Sequence, residues 1–197
     1  MTSIAPLVLG SASPRRREMI AMLRLPFVVR SADIDERSVP GEAPSAYLQR
    51  ITQAKLTAVR AGWAGSAAGV LAADTVVIAP DGALLGKPAS EADARAMIER
   101  LAGVTHVVST CFVLAGPLPG SRVEHVETVT TRVTFRALSG GEAEAYAASG
   151  EGVDKAGGYA LQGRASAFVE RIEGSYTGVI GLPLCEVVVA MRALGWM

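Results

Sequence analysis

The sequence predicts an α/β protein in which helices flank a mixed β-sheet. Segments with strand character and segments with helix character alternate along the 197 residues, a pattern typical of this class. Half of the residues are hydrophobic and only 5% are aromatic, so the predicted core consists mainly of Ala, Val and Leu. Because no repeat, low-complexity tract or long linker divides the chain, we predict a single domain over residues 1–197.

The elements of the N-terminal part begin with an apolar run that predicts a short buried strand. Ser13 is a suitable N-cap for the next helix, and Pro14 fits the first helical position. Apolar residues at helical spacing indicate a second helix. The predicted elements are a strand at 7–9, a helix from 14 to about 24, an extended segment at 27–34 and a helix from 44 to about 61.

The C-terminal part begins with an apolar run that is interrupted by Asp74 and Thr75 and predicts a buried strand. Ser90 and Ser139 are each followed three residues later by an acidic residue, which resembles the capping box at helix starts. The predicted elements are strands at 70–79, 83–85, 107–114 and 123–136, helices at 90–103, 139–150 and 183–194, and an extended segment at 167–172.

Charge and cysteine content exclude several classes of protein. The formal net charge is zero, whereas a sequence-independent nucleic-acid binder needs a basic excess to displace counterions, so we expect no nucleic-acid partner. Cys111 and Cys185 form no CxxC or Cys/His cluster, which argues against structural zinc and a disulfide framework. Without a basic n-region or an apolar run of about 18 residues, we expect a cytoplasmic protein that does not enter a membrane.

The segment Ser11–Arg17 combines a strand-to-helix turn with three consecutive arginines. Arginines in the first turn of a helix are unfavourable unless an anion neutralises them, and the free N–H groups of that turn favour an anion as well. A bound phosphate would satisfy both demands. A capped surface helix with solvated arginines explains the segment equally well.

Two acidic positions are candidates for metal binding or acid–base chemistry. Asp74 interrupts an otherwise apolar strand, where a carboxylate is costly unless it is paired or coordinates a metal. Backbone amides or a strand end could also satisfy it. Glu36 ends the acidic cluster 33–36, which taken alone is more often a solvated turn.

Only three lysines, Lys55, Lys87 and Lys155, occur beside sixteen arginines. Lys55 projects from the apolar face of its helix, where a snorkelling side chain is the commoner explanation. Lys87 does not belong to a Walker A loop, because Pro88 stands where that motif has Ser or Thr. Since HExxH, GxSxG and GxGxxG motifs are absent as well, these carboxylates and lysines favour metal-assisted phosphate chemistry over acyl transfer or redox chemistry.

Several short motifs, in the same order along nearly the whole chain, together resemble the Maf family. Each motif would be weak alone, but their common order makes accidental similarity improbable. The motifs are Ser11-Ala12-Ser13-Pro14-Arg15-Arg16, Ala73-Asp74-Thr75, Gly86-Lys87-Pro88, Leu101-x-Gly103-x-x-His106-x-Val108-x-Thr110, Asp154-Lys155-Ala156-Gly157-Gly158-Tyr159-x-x-Gln162-Gly163 and Gly174-Ser175-Tyr176-x-x-Val179-x-Gly181-Leu182-Pro183-Leu184.

The resemblance implies an elongated α/β fold with a cleft between two lobes, related to inosine triphosphatases. It also implies metal-dependent hydrolysis of nucleoside triphosphates between the α and β phosphates, with Mg²⁺ or Mn²⁺ as the cofactor. A homodimer is common in such enzymes and is a further expectation. The implied roles are Asp74 as the proton acceptor, Glu36, Asp74 and Asp154 as metal ligands, Lys55, Lys87 and Lys155 as charges for the phosphates, and Ser13 and Arg15 as nucleotide-binding residues.

Three positions distinguish subgroups of the family in this resemblance. Arg15, Thr75 and Gln162 match the pattern of members that act on dTTP and UTP, and the Gln162 amide offers both a donor and an acceptor to a pyrimidine edge. The stretch 150–152 is richer in glycine than expected, so a flexible loop could broaden the base preference. A broad or modified-nucleotide pyrophosphatase and a nucleotide-sensing protein acting in septation stay open as alternatives.

Overall fold

The computed structural model describes residues 5–63, 65–117 and 122–197, which fall into two compact units. Unit 1 comprises Met1–Asp74, Thr110–Thr128 and Gly181–Met197, and unit 2 comprises Thr75–Ser109 and Val129–Ile180. The chain changes from one unit to the other at four points in the sequence, and three of these points lie within β-strands. The single domain over residues 1–197 stays a prediction. The cleft between two lobes, which the family resemblance implies, stays a prediction as well.

The described strands form one mixed β-sheet, which confirms the predicted α/β class. The strand order is β2-β1-β3-β5-β6-β7, with β4 paired to β3. β1 runs parallel to β2 and β3, whereas β4 is antiparallel to β3 and β7 is antiparallel to β6. The strands are β1 (Leu7–Leu9), β2 (Phe27–Val29), β3 (Gly69–Ile78), β4 (Leu84–Leu85), β5 (Thr105–Ala115), β6 (Val123–Phe135) and β7 (Val169–Glu173).

Three of the helices begin directly after the predicted capping residues Ser13, Ser90 and Ser139. Ser13 accepts a hydrogen bond from the backbone N–H of Arg16, and Ser139 forms a complete capping box with Glu142. At Ser90 only half of the box forms, because the Asp93 carboxylate accepts from Ala89 N–H instead. The helices are α1 (Pro14–Met22), α2 (Pro44–Ala61), α3 (Glu91–Leu101), α4 (Gly140–Ala148), α5 (Tyr176–Ile180) and α6 (Leu184–Ala193).

The structure differs from the prediction at several places, and residues 167 and 168 of the predicted extended segment belong to a 3₁₀-helix. The helix predicted to reach about residue 24 ends at Met22, since Arg24 adopts a left-handed backbone conformation with φ of 54°. Of the extended segment predicted at 27–34, only residues 27–29 form a strand. Helix α5 was not predicted, because five residues are too few to show helical periodicity.

One hydrophobic cluster in the core of unit 1 consists of aliphatic side chains from strands β1, β3 and β5 and from helix α2. This packing holds one face of α2 against the buried first half of β3, so the side chains between them have fixed positions. The cluster contains Val8, Leu56, Val59, Val70, Ala72, Val113 and Ala115. Among the described residues, no helix is both long enough and apolar enough to cross a bilayer.

The core of unit 2 contains a cluster of aromatic side chains around a buried histidine. The ring of His106 contacts Phe135 edge to face at 5.0 Å between centroids, and its Nε2 lies 2.9 Å from the hydroxyl of Tyr159. The other ring nitrogen, Nδ1, has no hydrogen-bond partner among the described residues. Burial lowers the pKa of His106 from 6.5 to about 4, so the folded protein keeps this imidazole neutral.

We expect the free energy of unfolding to fall between pH 6.5 and pH 4 because of His106. In this window the unfolded chain binds a proton that the folded protein does not accept until about pH 4. The free energy of unfolding should fall by about 3 kcal/mol in total across this window, since one pKa unit corresponds to about 1.4 kcal/mol. Urea unfolding from pH 7 downwards should show a shallower pH slope for His106→Gln than for wild type. Equal slopes would contradict this assignment.

Candidate active site

A lysine and two carboxylates form a compact charged group in unit 1. The Nζ atom of Lys55 lies 2.6 Å from Asp74 Oδ1 and 2.9 Å from Glu36 Oε1. The Lys55 and Asp74 side chains are only 14% and 13% exposed, whereas that of Glu36 is 49% exposed. Lys55 therefore binds two carboxylates instead of snorkelling to solvent, and the two acidic candidates of unit 1 meet at one cation.

Packing between helix α2 and strand β3 positions Lys55 opposite Asp74. Leu56 and Val59 of the helix share the aliphatic cluster with Val70 and Ala72 of the strand. The strand stays buried up to Asp74, whose carboxylate is compensated by the ammonium group. The carboxylate predicted to be costly in an apolar strand thus has a partner, as its position required.

Helix α2 also holds the segment that carries Glu36. The hydroxyl of Tyr47 donates to the carbonyl oxygen of Glu36 at 2.9 Å, and Arg50 Nη2 donates to the carbonyl oxygen of Arg37 at 3.1 Å. Asp35 pairs with Arg37, whose hydrogen bonds lower the pKa of that carboxyl to about 2. Of the acidic cluster, Glu36 is the residue that meets Lys55.

Tyr47 was missed by the sequence reasoning, although it lies eight residues before Lys55 on the same helix. Burial, and then the charges of Asp74 and Glu36, raise the pKa of its phenol. The tyrosine thus lies close to both carboxylates and fixes the backbone of one of them. Its helical spacing from Lys55 was the available signal.

Arg16 belongs to the candidate segment Ser11–Arg17, but no individual role was predicted for it. Its guanidinium is buried, with Nε donating to the Gly181 carbonyl at 2.7 Å and Nη1 donating to Ser11 Oγ at 3.2 Å. Burial lowers the pKa of Arg16, and the opposite charge of Asp74 acts against this shift. A backbone carbonyl, a hydroxyl and the charge of Asp74 thus offset only part of the cost of burying this first-turn arginine.

Ser13 and Arg15 lie at the same N-terminus of α1. Ser13 Oγ caps the helix, and its backbone N–H donates to Ser11 Oγ at 3.2 Å. Arg15 is half-buried beside the cap. The predicted nucleotide-binding residues of unit 1 therefore share the first turn of α1 with Arg16, whose charge interacts with Asp74.

Glu36 and Asp74 fit a divalent cation in donor chemistry. Both carboxylates are already within hydrogen-bond distance of one positive group, and carboxylate oxygens are ligands that Mg²⁺ and Mn²⁺ prefer. Among residues 5–63, 65–117 and 122–197, no three His, Cys, Asp or Glu side chains form a group that could hold a metal. Water or substrate oxygens would have to complete such a site.

The remaining candidates lie in unit 2. Lys155 Nζ donates to the carbonyl oxygen of Glu151 at 2.7 Å and pairs with Asp154, whose side chain is 62% exposed. A hydrogen bond of 3.0 Å from Gly157 N–H to the Gly86 carbonyl links this loop to the residue preceding Lys87. Lys87 and Gln162 are exposed, and Thr75 is half-buried directly after Asp74 in strand β3. The roles predicted for these residues stay predictions.

Comparisons with known proteins agree with the motifs. Residues 6–194 match the family described as Maf-like protein. A relative from Hahella chejuensis named dTTP/UTP pyrophosphatase is 49% identical over 190 residues, which is 96% of this chain and 92% of the relative. Relatives of the same name from Myxococcus xanthus and Geobacter metallireducens are 50% and 44% identical, over 96% of this chain and 92% and 96% of their own lengths.

Proposed function

The chain belongs to the Maf-like protein family, as its motifs predicted, and from this membership we propose that it hydrolyses dTTP and UTP to the monophosphate and pyrophosphate. The contact of Lys55 with both Asp74 and Glu36 carries the proposal, since it places a base candidate beside a fixed positive charge. Arg15, Thr75 and Gln162 support the choice of substrates. So do the names of the relatives.

In the proposed reaction, Asp74 accepts a proton from the attacking water. The water oxygen forms a bond to the α-phosphorus while the bond between that phosphorus and the oxygen bridging to the β-phosphate breaks. The electron pair of this bond leaves with pyrophosphate. A positioned carboxylate of this kind typically contributes a rate factor of about 10²–10⁴.

Lys55 has two tasks in this proposal. Its ammonium orients the Asp74 carboxylate, and its charge stabilises negative charge that develops on the phosphate oxygens. Glu36 and Asp74, with Asp154 as a further candidate, would hold the Mg²⁺ or Mn²⁺ ion. When bound, this ion supplies neutralisation of phosphate charge and polarisation of a phosphoryl oxygen.

The other candidates are assigned to substrate binding. Lys87 and Lys155 would neutralise phosphate charge, and Ser13 and Arg15 would bind the nucleotide at the start of α1. Gln162 would contact the base, because its amide can both donate and accept. A cytoplasmic location and a homodimer stay predictions.

Pyrophosphate release from a panel of nucleotides tests the proposal. The panel is dTTP, UTP, CTP, GTP and 7-methylguanosine triphosphate, each with magnesium, with manganese and with excess chelator. We expect release from dTTP and UTP to exceed that from the others by about tenfold or more, the difference that about 1.4 kcal/mol produces, and to stop with chelator.

Other results of this panel would change the assignment. Comparable rates on all the nucleotides would contradict the substrate choice and favour a broad-specificity pyrophosphatase. Undiminished release in chelator would contradict the metal requirement. No release from any nucleotide would contradict the enzymatic proposal and favour a nucleotide-sensing protein.

A further inference from the structure

One residue of unit 2, Glu151, ties together the two parts of the loop that carry Lys155 and Gln162. Its carboxylate accepts hydrogen bonds from the backbone N–H of Arg164, at 2.8 Å to Oε1 and 3.1 Å to Oε2. Its backbone carbonyl oxygen accepts from Lys155 Nζ at 2.7 Å. A displacement of residue 151 would therefore move the Lys155 ammonium and the backbone two residues after Gln162 together.

Tyr146 of helix α4 fixes Glu151 in place. Its hydroxyl donates to Glu151 Oε1 at 3.2 Å and accepts from the backbone N–H of Ala160 at 2.9 Å. The tyrosine is buried, and its ring packs edge to face on Phe168 with 5.3 Å between centroids. The loop is thus bound to Tyr146 directly at residue 160, before Gln162, and through Glu151 at residue 164, after Gln162.

Gly163 leaves room for the carboxylate of Glu151 beside the backbone of the loop. A Cβ atom on Gly163 would lie within 3.0 Å of both carboxylate oxygens of Glu151, a separation that Cβ atoms essentially never show. A residue with a side chain at position 163 would have to displace the carboxylate. Glycine at this position therefore permits the hydrogen bonds between Glu151 and Arg164.

We propose that Glu151 and Tyr146 are positioning residues that set the base preference of the enzyme by fixing Gln162 relative to Lys155. The inference rests on the proposed function, in which Gln162 contacts the base and Lys155 the phosphates. Neither positioning residue needs to touch the nucleotide. A base contact discriminates between nucleotides only when its donor and acceptor are held in place, because a mobile amide adapts to several bases.

Base selectivity separates this role from a merely structural one. We expect the ratio of kcat/KM for UTP to kcat/KM for CTP to fall by about tenfold in Glu151→Ala, equivalent to about 1.4 kcal/mol, and by less in Glu151→Gln, which keeps one acceptor oxygen. Tyr146→Phe should lower the ratio as well. The matched control is Glu144→Gln. Glu144 lies on helix α4, as Tyr146 does, and its side chain is 62% exposed and pairs with Arg95.

Rates that fall by one common factor for all nucleotides, with the ratio unchanged, would overturn the proposal. Hydrogen exchange at the amides of Ala160 and Arg164 checks the mechanism, since both should lose protection in Glu151→Ala while the amides of β6 keep theirs. If Glu151→Ala does not fold, Glu151→Gln and Tyr146→Phe decide, because both keep the side-chain volume.

The proposed function can fail separately. If wild type releases no pyrophosphate but binds UTP more tightly than CTP, the ratio of the dissociation constants for CTP and UTP replaces the ratio of kcat/KM values. A smaller ratio in Glu151→Ala than in wild type then supports the positioning role. If wild type shows no preference in either rate or binding, both the proposed base preference and this inference are overturned.

Discussion

Asp74→Asn is expected to lower kcat for dTTP and UTP by about 10³-fold, within the range measured for a general base. Asparagine keeps the shape of the side chain and an oxygen that can accept from Lys55, which lies 2.6 Å from Asp74 in wild type. It cannot accept a proton from water near neutral pH. The loss should therefore appear in kcat, measured as pyrophosphate release at saturating nucleotide, while the protein still folds.

The matched control for this variant is Asp81→Asn. Asp81 is a carboxylate that is 62% exposed and pairs with Arg100 on the surface of unit 2. Exposed pairs of this kind contribute little to stability, so the control should keep wild-type turnover. A kcat of Asp74→Asn within a few-fold of wild type would remove Asp74 from the proton-acceptor role.

Gly152→Ala is expected to destabilise the protein by about 3 kcal/mol or more, at the upper end for overpacking in a buried site. Gly152 is buried, and an added Cβ would lie within 3.0 Å of the carbonyl carbon and oxygen of Gly158. The neighbour is backbone, which cannot rotate away as a side chain can. Gly158 is itself in a left-handed conformation with φ of 70°, so the loop has little freedom to adjust.

Chemical unfolding of Gly152→Ala and of Gly140→Ala measures this effect. Gly140 is the first residue of α4, and a Cβ there would meet no atom within 4 Å. Alanine at that position should be neutral or stabilising by about 0.5 kcal/mol, because it lowers the entropy of the unfolded chain. Similar unfolding free energies for the two variants would show that the close contact between Gly152 and Gly158 does not limit which residue position 152 accepts.

Asp74 illustrates how much of the candidate site a sequence pattern can predict. A single carboxylate inside an apolar strand must be compensated, so its position alone marked it as a candidate. Helical periodicity gave the bounds of α2 correctly and placed Lys55 on the face that packs on β3. What the pattern could not give was the partner, since an apolar-face lysine more often snorkels.

The residues that were missed act through partners that local patterns do not contain. Arg16 donates to the carbonyl oxygen of Gly181, which lies 165 positions further along the chain. Tyr47 and Glu151 bind backbone groups, and any residue type supplies a carbonyl or an N–H. Side-chain chemistry therefore did not mark Tyr47 and Glu151 beforehand, and for Arg16 it marked the arginine cluster but not the partner.

The glycine-rich stretch 150–152 has a structural role that composition did not indicate. A high glycine content suggested a flexible loop that could broaden base preference. Gly152 is instead buried, with no room for a side chain, and Glu151 binds both parts of the loop. Glycine allows mobility when a loop is solvated and close approach when it is packed, and composition does not separate the two.

The interleaving of the two units has a consequence for the order in which they are completed during synthesis. Every residue of unit 2 leaves the ribosome before Gly181, whereas unit 1 needs the stretch Gly181–Met197, which is made after unit 2. Arg16 therefore cannot form its hydrogen bond until the carbonyl group of Gly181 has been synthesised. Such long-range closure is slow compared with local folding. We infer that unit 1, with Lys55 and Asp74, is completed later than unit 2 and is the part of the nascent chain that stays exposed to premature association for longer.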